Sequence, residues 1–159
     1  MNQLHIATTF DHIPDSIQVE LNSNTIFEGA AFNGAIDLTP QTGLNQLRVH
    51  VRKKSAGNFV YDSTKNSVLY DSHVTVNEII IERRYFRSLL NKCGKVVVDL
   101  DLNPGFDRSE IPGSNIITME GAYYEIEFEY PVKFWMQKML HGKDLTLPTE
   151  YFNLIKTLL

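Results

Sequence analysis

The chain has 159 residues, a formal net charge of -4 and one cysteine, with 43% hydrophobic and 21% charged residues, which suits a single well-formed core. The acidic balance gives no general attraction to nucleic acid or to an anionic membrane, and a lone Cys93 excludes an intramolecular disulfide framework or a multi-cysteine zinc site. No apolar stretch approaches the roughly 20 residues of a spanning helix, and the N-terminus lacks the basic-then-apolar order of a signal peptide, so the sequence reads as soluble and not exported by a signal of its own.

Residues 3–9 predict a short strand, broken by Asp11, Pro14 and Asp15. Residues 16–22 alternate, with Ile17, Val19 and Leu21 on one face and Gln18 and Glu20 on the other. Asn22, Ser23 and Asn24 predict a turn, and residues 25–28 the return strand of a hairpin. A further strand over 35–38 ends at Pro40. The chain's organising strand is 44–52, where Leu47, Val49 and Val51 oppose Gln46, Arg48, His50 and Arg52, the period-two pattern of a half-buried central strand.

Residues 53–66 are polar apart from Phe59, Val60 and Tyr61 and predict a loop or irregular hairpin. In the strand over 73–82, Val74 and Val76 share one parity and Ile79 and Ile81 the other. A bulge near Asn77 and Glu78 would reconcile them and would let the strand serve two sheets. Residues 83–91 fit a helical turn or a strand. Residues 95–102 predict a strand, 103–114 a loop marked by Pro and Gly, and 116–119 with 122–130 a hairpin about Glu120 and Gly121. After Pro131 the period changes: Val132, Trp135, Met136, Met139 and Leu140 lie at helical spacing before Gly142. Tyr151, Leu154, Ile155 and Leu158 repeat it behind Pro148. The expected fold is mainly β, an antiparallel, jelly-roll-like β-sandwich over 1–130, with a C-terminal amphipathic helical segment over 131–159 packed on it or on a partner.

Asp99, Asp101, Asn103, Asp107 and Glu110 occupy positions 1, 3, 5, 9 and 12 of an EF-hand-like loop and would offer hard oxygen ligands to calcium. Position 6, which wants a glycine at positive φ, is Pro104, and the segment before it reads as strand. The competing reading is a strand whose outward carboxylates run into a loop. Arg48, His50, Arg52, Lys53 and Lys54 form a basic stripe, either an anion surface or a strand face opposed by carboxylates such as Glu125, Glu127 and Glu129. Tyr61, Tyr70, Tyr85 and Phe86 could stack on sugar rings or cap the sandwich ends. The five histidines have no metal spacing, and HExxH, GxSxG, P-loop and GxGxxG are all lacking, so no catalytic residue is expected. Phe134, Trp135, Met136, Met139, Tyr151, Leu154 and Leu158 are of the types enriched in interface cores; they would dock a partner or close one end of the sandwich.

From Ile17 to Glu82 the order SIQVELN, FNGAIDL, GLNQLRVHVRKK, a variable loop and YDSHVTVNEIIIE resembles the calcium-dependent, xylan-binding type of carbohydrate-binding module. It is also similar to small β-sandwich proteins of tailed-bacteriophage virions. The resemblance implies a polysaccharide ligand and calcium held by acidic and asparagine side chains at the sandwich edge. Here only Asp62 and Asp71 stand where that pattern puts acidic ligands, with Tyr61 and Tyr70 beside them as candidate sugar-stacking rings, and carboxylates are too sparse to require calcium for folding. The resulting expectation is a non-enzymatic virion component, a capsid decoration or tail protein, whose partners are other virion proteins or further copies of itself. A polysaccharide-recognising module is the alternative.

Overall fold

A computed structural model describes residues 1–8, 15–54, 59–132 and 135, with the side chains of 69, 70, 88 and 89 outside that description. The strands are β1 (Gln3–Thr8), β2 (Ser16–Leu21), β3 (Asn24–Ala30), β4 (Gly34–Asp37), β5 (Gly43–Lys53), β6 (Phe59–Asp62), β7 (Ser67–Asp71), β8 (Val74–Ile81) and β9 (Arg84–Phe86). Helix α1 (Ser88–Cys93) precedes β10 (Lys95–Val97), β11 (Glu110–Pro112), β12 (Ile116–Ile117) and β13 (Tyr123–Tyr130). One sheet runs β12-β8-β1-β4 with β9 also paired to β8; the other runs β11-β10-β13-β5-β2-β3; β6 and β7 form a separate hairpin. All of these pairings are antiparallel.

The alternation in the sequence decides what lies between the sheets. Ile17, Val19 and Leu21 of β2, Leu47, Val49 and Val51 of β5, and Tyr124, Ile126 and Phe128 of β13 share one buried cluster with Leu4 and Ile6 of β1 and Val74, Val76, Ile79 and Ile81 of β8. The organising strand is therefore interior to the larger sheet, flanked by β13 and β2. Each such side chain contributes about 1.5–3 kcal/mol when fully removed from water. This is a mainly β, antiparallel sandwich, as the pattern implied.

Local chemistry explains the connections. Asn22 and Ser23 have φ of 54° and 65°, the left-handed pair that a two-residue hairpin requires. Asn22 Oδ1 accepts from the Gln46 amide at 2.8 Å. Asn45, wholly buried on the inner face, donates to the Gln41 and Gly43 carbonyls at 2.7 and 3.0 Å and accepts from the Gln41 amide and Asn22 Nδ2, each at 2.9 Å. Those bonds fix the entry to β5. Tyr124 is fully buried beside Gly94 and donates to the Leu90 carbonyl at 3.0 Å. Desolvation pushes its phenol well above the usual range.

Several expectations need correction. The parity change in β8 is a bulge, since His5 pairs with Glu78 and Ile6 with Val76, leaving Asn77 unpaired; both halves of β8 nevertheless stay in one sheet. Residues 116–130 do not make a hairpin: β12 pairs with β8 and β13 with β5 and β10, so the chain changes sheet between them. The Thr118 carbonyl accepts from Lys54 Nζ, 2.8 Å away, and Gly121, at φ 79°, makes the turn. The strand expected over 95–102 stops at Val97, because Asp99 Oδ1 captures the amides of Asp101 and Leu102 at 2.9 and 3.4 Å in a side-chain-closed turn. Residues 83–91 hold both alternatives, β9 and the start of α1.

Of the C-terminal segment, Val132 is fully buried in the core, and its amide donates to Glu82 Oε2 at 3.1 Å. Trp135 meets Phe86 edge-on, with ring centroids 5.4 Å apart. Phe134, Met136, Met139, Tyr151, Leu154 and Leu158 lie outside the described residues.

Candidate functional site

Where β5, β7 and β12 end, their following loops enclose an open cleft of about 400 Å³ lined by Lys54, Phe59, Asp71, Asn103, Phe106, Thr118, Met119 and Glu120. Lys54 makes the base. Its ammonium donates to Asp71 Oδ1 and to the carbonyls of Ser72 and Thr118 at 3.0 and 2.8 Å, using all three of its protons. One side chain thereby ties the exits of β5, β7 and β12 together. The same ammonium stands 5.9 Å from the centre of the Phe59 ring, a cation–π distance that helps set the ring's position.

Another part of the lining comes from the loop that follows the Asp99 turn. Asn103 Nδ2 donates to the carbonyls of Asp99 and Glu120, both at 3.1 Å, and the Phe106 amide donates to the Asn103 carbonyl at 3.0 Å. Asn103 thereby fixes the loop that carries Phe106 into the same cleft as Phe59. Both rings are partly open, 42% and 53% exposed, unlike Phe86 and Phe128, which the core covers. Glu120 Oε1 accepts from the Lys54 amide at 3.3 Å. The resulting lining has two apolar ring faces, acceptor oxygens on Asp71, Asn103 and Glu120, and a cation committed to the scaffold.

The sequence-derived ligand residues are only partly brought together. Asp71 is in the cleft. Tyr61, 47% exposed on the β6–β7 hairpin, donates its hydroxyl to Asn66 Oδ1. Asp62 Oδ1 accepts from the amides of Thr64 and Lys65 at 2.9 and 3.3 Å. Hydrogen bonding to Thr64, then to Lys65, holds its carboxyl below the ordinary carboxylate value. The Tyr70 side chain lies outside the described part.

Calcium does not fit these positions. Asp62 lies near the hairpin's turn and Asp71 at its base, paired with Phe59. Phe59 and Asp62 stand three residues apart on β6, about 10 Å along a strand. Asp71 is also spent on Lys54. The EF-hand-like residues are no better gathered: Asp99 closes its own turn, Asn103 braces the loop, and Glu110 pairs with Lys95 at 2.7 Å on the neighbouring strand. No cluster of three or more histidine, cysteine or acidic side chains suited to a metal occurs among the described residues.

The basic stripe is a paired strand face. Arg48 Nε is 2.6 Å from Glu125 Oε2, His50 Nε2 is 3.1 Å from Glu20 Oε2, and Arg52 donates to Gln18. Tyr123 completes the row, 5.2 Å from the Arg48 guanidinium. Burial lowers the His50 pKa despite the hydrogen bond to Glu20, and the positive charges of Arg52 and Arg48 add to the lowering. Cys93 is half-buried, and desolvation raises its pKa, the reverse of thiolate activation.

Sequence reasoning passed over Phe59, Phe106 and Glu120 as ligand residues and assigned Lys54 to the stripe. The available signal was Phe106, a lone aromatic in the Pro- and Gly-marked loop over 103–114, and Phe59 in the apolar Phe59, Val60 and Tyr61 cluster of an otherwise polar segment.

No family model matches the chain, and no curated protein matches it. Among solved structures, one titled "vCBM60 in complex with galactobiose" is similar with a TM-score of 0.48 and 10% identity, over 80% of this chain and 96% of that one. No helix among the described residues is long and apolar enough to cross a membrane.

Proposed function

We propose that this protein is a non-catalytic carbohydrate-binding domain that holds a polysaccharide in the Lys54 cleft. The observation that carries the reading is the pairing of two open phenylalanine faces with fixed acceptor oxygens in one cleft. A sugar ring has apolar C–H faces and a hydroxyl edge, so rings can cover the former while Asp71, Asn103 and Glu120 accept from the latter. Lys54, fully used by carbonyls and Asp71, supplies rigidity without having to reorganise when a ligand arrives.

This reverses the order that the sequence suggested, in which a virion component came first. That expectation rests on the order of features in the first half and on C-terminal side chains mostly outside the described residues. The test is a glycan array probed with the whole chain and with Phe59→Ala and Phe106→Ala. Binding to a defined group of polysaccharides, lost in both variants at unchanged melting temperature, is the expected result. No binding, or binding that both variants retain, would refute it.

A further inference from the structure

We infer that a second site, at the β8 bulge, binds an oxyanion such as a carboxylate or a sulfate ester. It shares no residue with the Lys54 cleft and does not depend on the reading of that cleft. An open cavity of about 420 Å³ is lined by His5, Asn77, Glu78 and Arg87. His5 projects from the outer face of the smaller sheet, between the inward Leu4 and Ile6. The bulge leaves Asn77 without a strand partner and puts Glu78 opposite His5. A bulge re-aims side chains in this way and recurs beside functional sites.

The arrangement of charge points to an anion. Glu78 is buried to 7% exposure, and its Oε1 accepts from Arg87 Nε at 2.7 Å. The Arg87 side chain is itself 78% exposed. The buried carboxylate is thus an anchor that grips the guanidinium by one edge, while Nη1 and Nη2 form a planar fork suited to two oxygens of one group. His5, which lines the cavity, has its Nε2 buried with no hydrogen-bond partner, so one polar atom beside the cavity is unsatisfied. The Asn77 amide adds a further donor. Glu78 opposes an anion electrostatically, but its charge is offset by Arg87, so the expected affinity is millimolar and sensitive to salt.

The test is a nuclear magnetic resonance titration of the whole chain with sodium glucuronate, sodium sulfate and glucose, against sodium chloride at matched ionic strength. Saturable shifts at His5, Asn77 and Arg87 with glucuronate or sulfate, and none with glucose, are expected. Which oxyanion saturates distinguishes a carboxylate from a sulfate ester. Arg87→Ala abolishes saturation. Arg87→Lys retains the charge and the pairing to Glu78 but not the fork, so it weakens binding roughly three- to tenfold and serves if the alanine variant does not fold. Shifts no larger than those with chloride, or saturation unchanged in Arg87→Lys, would overturn the site.

Discussion

The middle of β5 and the segment just past its end use their side chains differently. In its middle, every side chain is consumed by the fold: Leu47, Val49 and Val51 fill the core, while Arg48, His50 and Arg52 are paired across to Glu125, Glu20 and Gln18. Just past its end, Lys54 is consumed in the same way, yet its neighbours Phe59 and Phe106 stay open to solvent. The lesson is that large apolar groups which the core does not use, held by polar groups that the scaffold does use, mark where this molecule has capacity left for a ligand.

Truncations sharpen the contrast most. Leu47→Ala empties a fully buried site and should cost about 3 kcal/mol in urea unfolding, whereas Val60→Ala on the exposed hairpin should stay within about 0.5 kcal/mol. Equal costs would break the distinction. Next, Gly94→Ala places a methyl group against the buried Tyr124 ring and hydroxyl, an overpacking expected to cost about 2 kcal/mol. Tyr124→Phe in the same chain should leave most of that loss in place, because two ring carbons stand nearly as close to the added methyl group as the hydroxyl does and the bond to the Leu90 carbonyl goes with the hydroxyl. Asn45→Ala removes a side chain that satisfies two carbonyls, an amide and Asn22. We expect about 1.5 kcal/mol for those groups left unpaired, measured the same way.

The smallest effect is in pH dependence. The folded pKa of His50 lies below its ordinary 6.5, chiefly through burial. Between the two values the unfolded chain binds more protons, so stability is complete above about pH 6.5 and declines as pH falls toward the folded value. His50→Gln should flatten that part of the wild-type profile, and an unchanged slope would show that His50 is not the group responsible.

Strand identity in the core was legible because alternation is a local property: β2, β5 and the inward Val and Ile of β8 followed from it directly. The bulge was legible for the same reason, since one extra residue inverts parity. The missed features depended on nonlocal partners. Nothing within residues 116–130 indicates that the Thr118 carbonyl will bind Lys54 instead of completing a hairpin. Asp99 reads as a metal ligand by spacing, while its nearest amides are at hand to claim it first. Asp71 was named from the resemblance, as the acidic residue just before a strong strand, whereas Phe106 lines the same cleft only through the brace of Asn103 to Glu120.

The most direct test of the account is calorimetric titration of wild type and the Phe59→Ala/Phe106→Ala double variant with a polysaccharide that the array identifies. The two rings lie outside the core, so the variant should melt within a few degrees of wild type and lose at least about tenfold in affinity, near 1.4 kcal/mol. Unaltered affinity in a folded variant would contradict the claim that the Lys54 cleft is where the ligand binds.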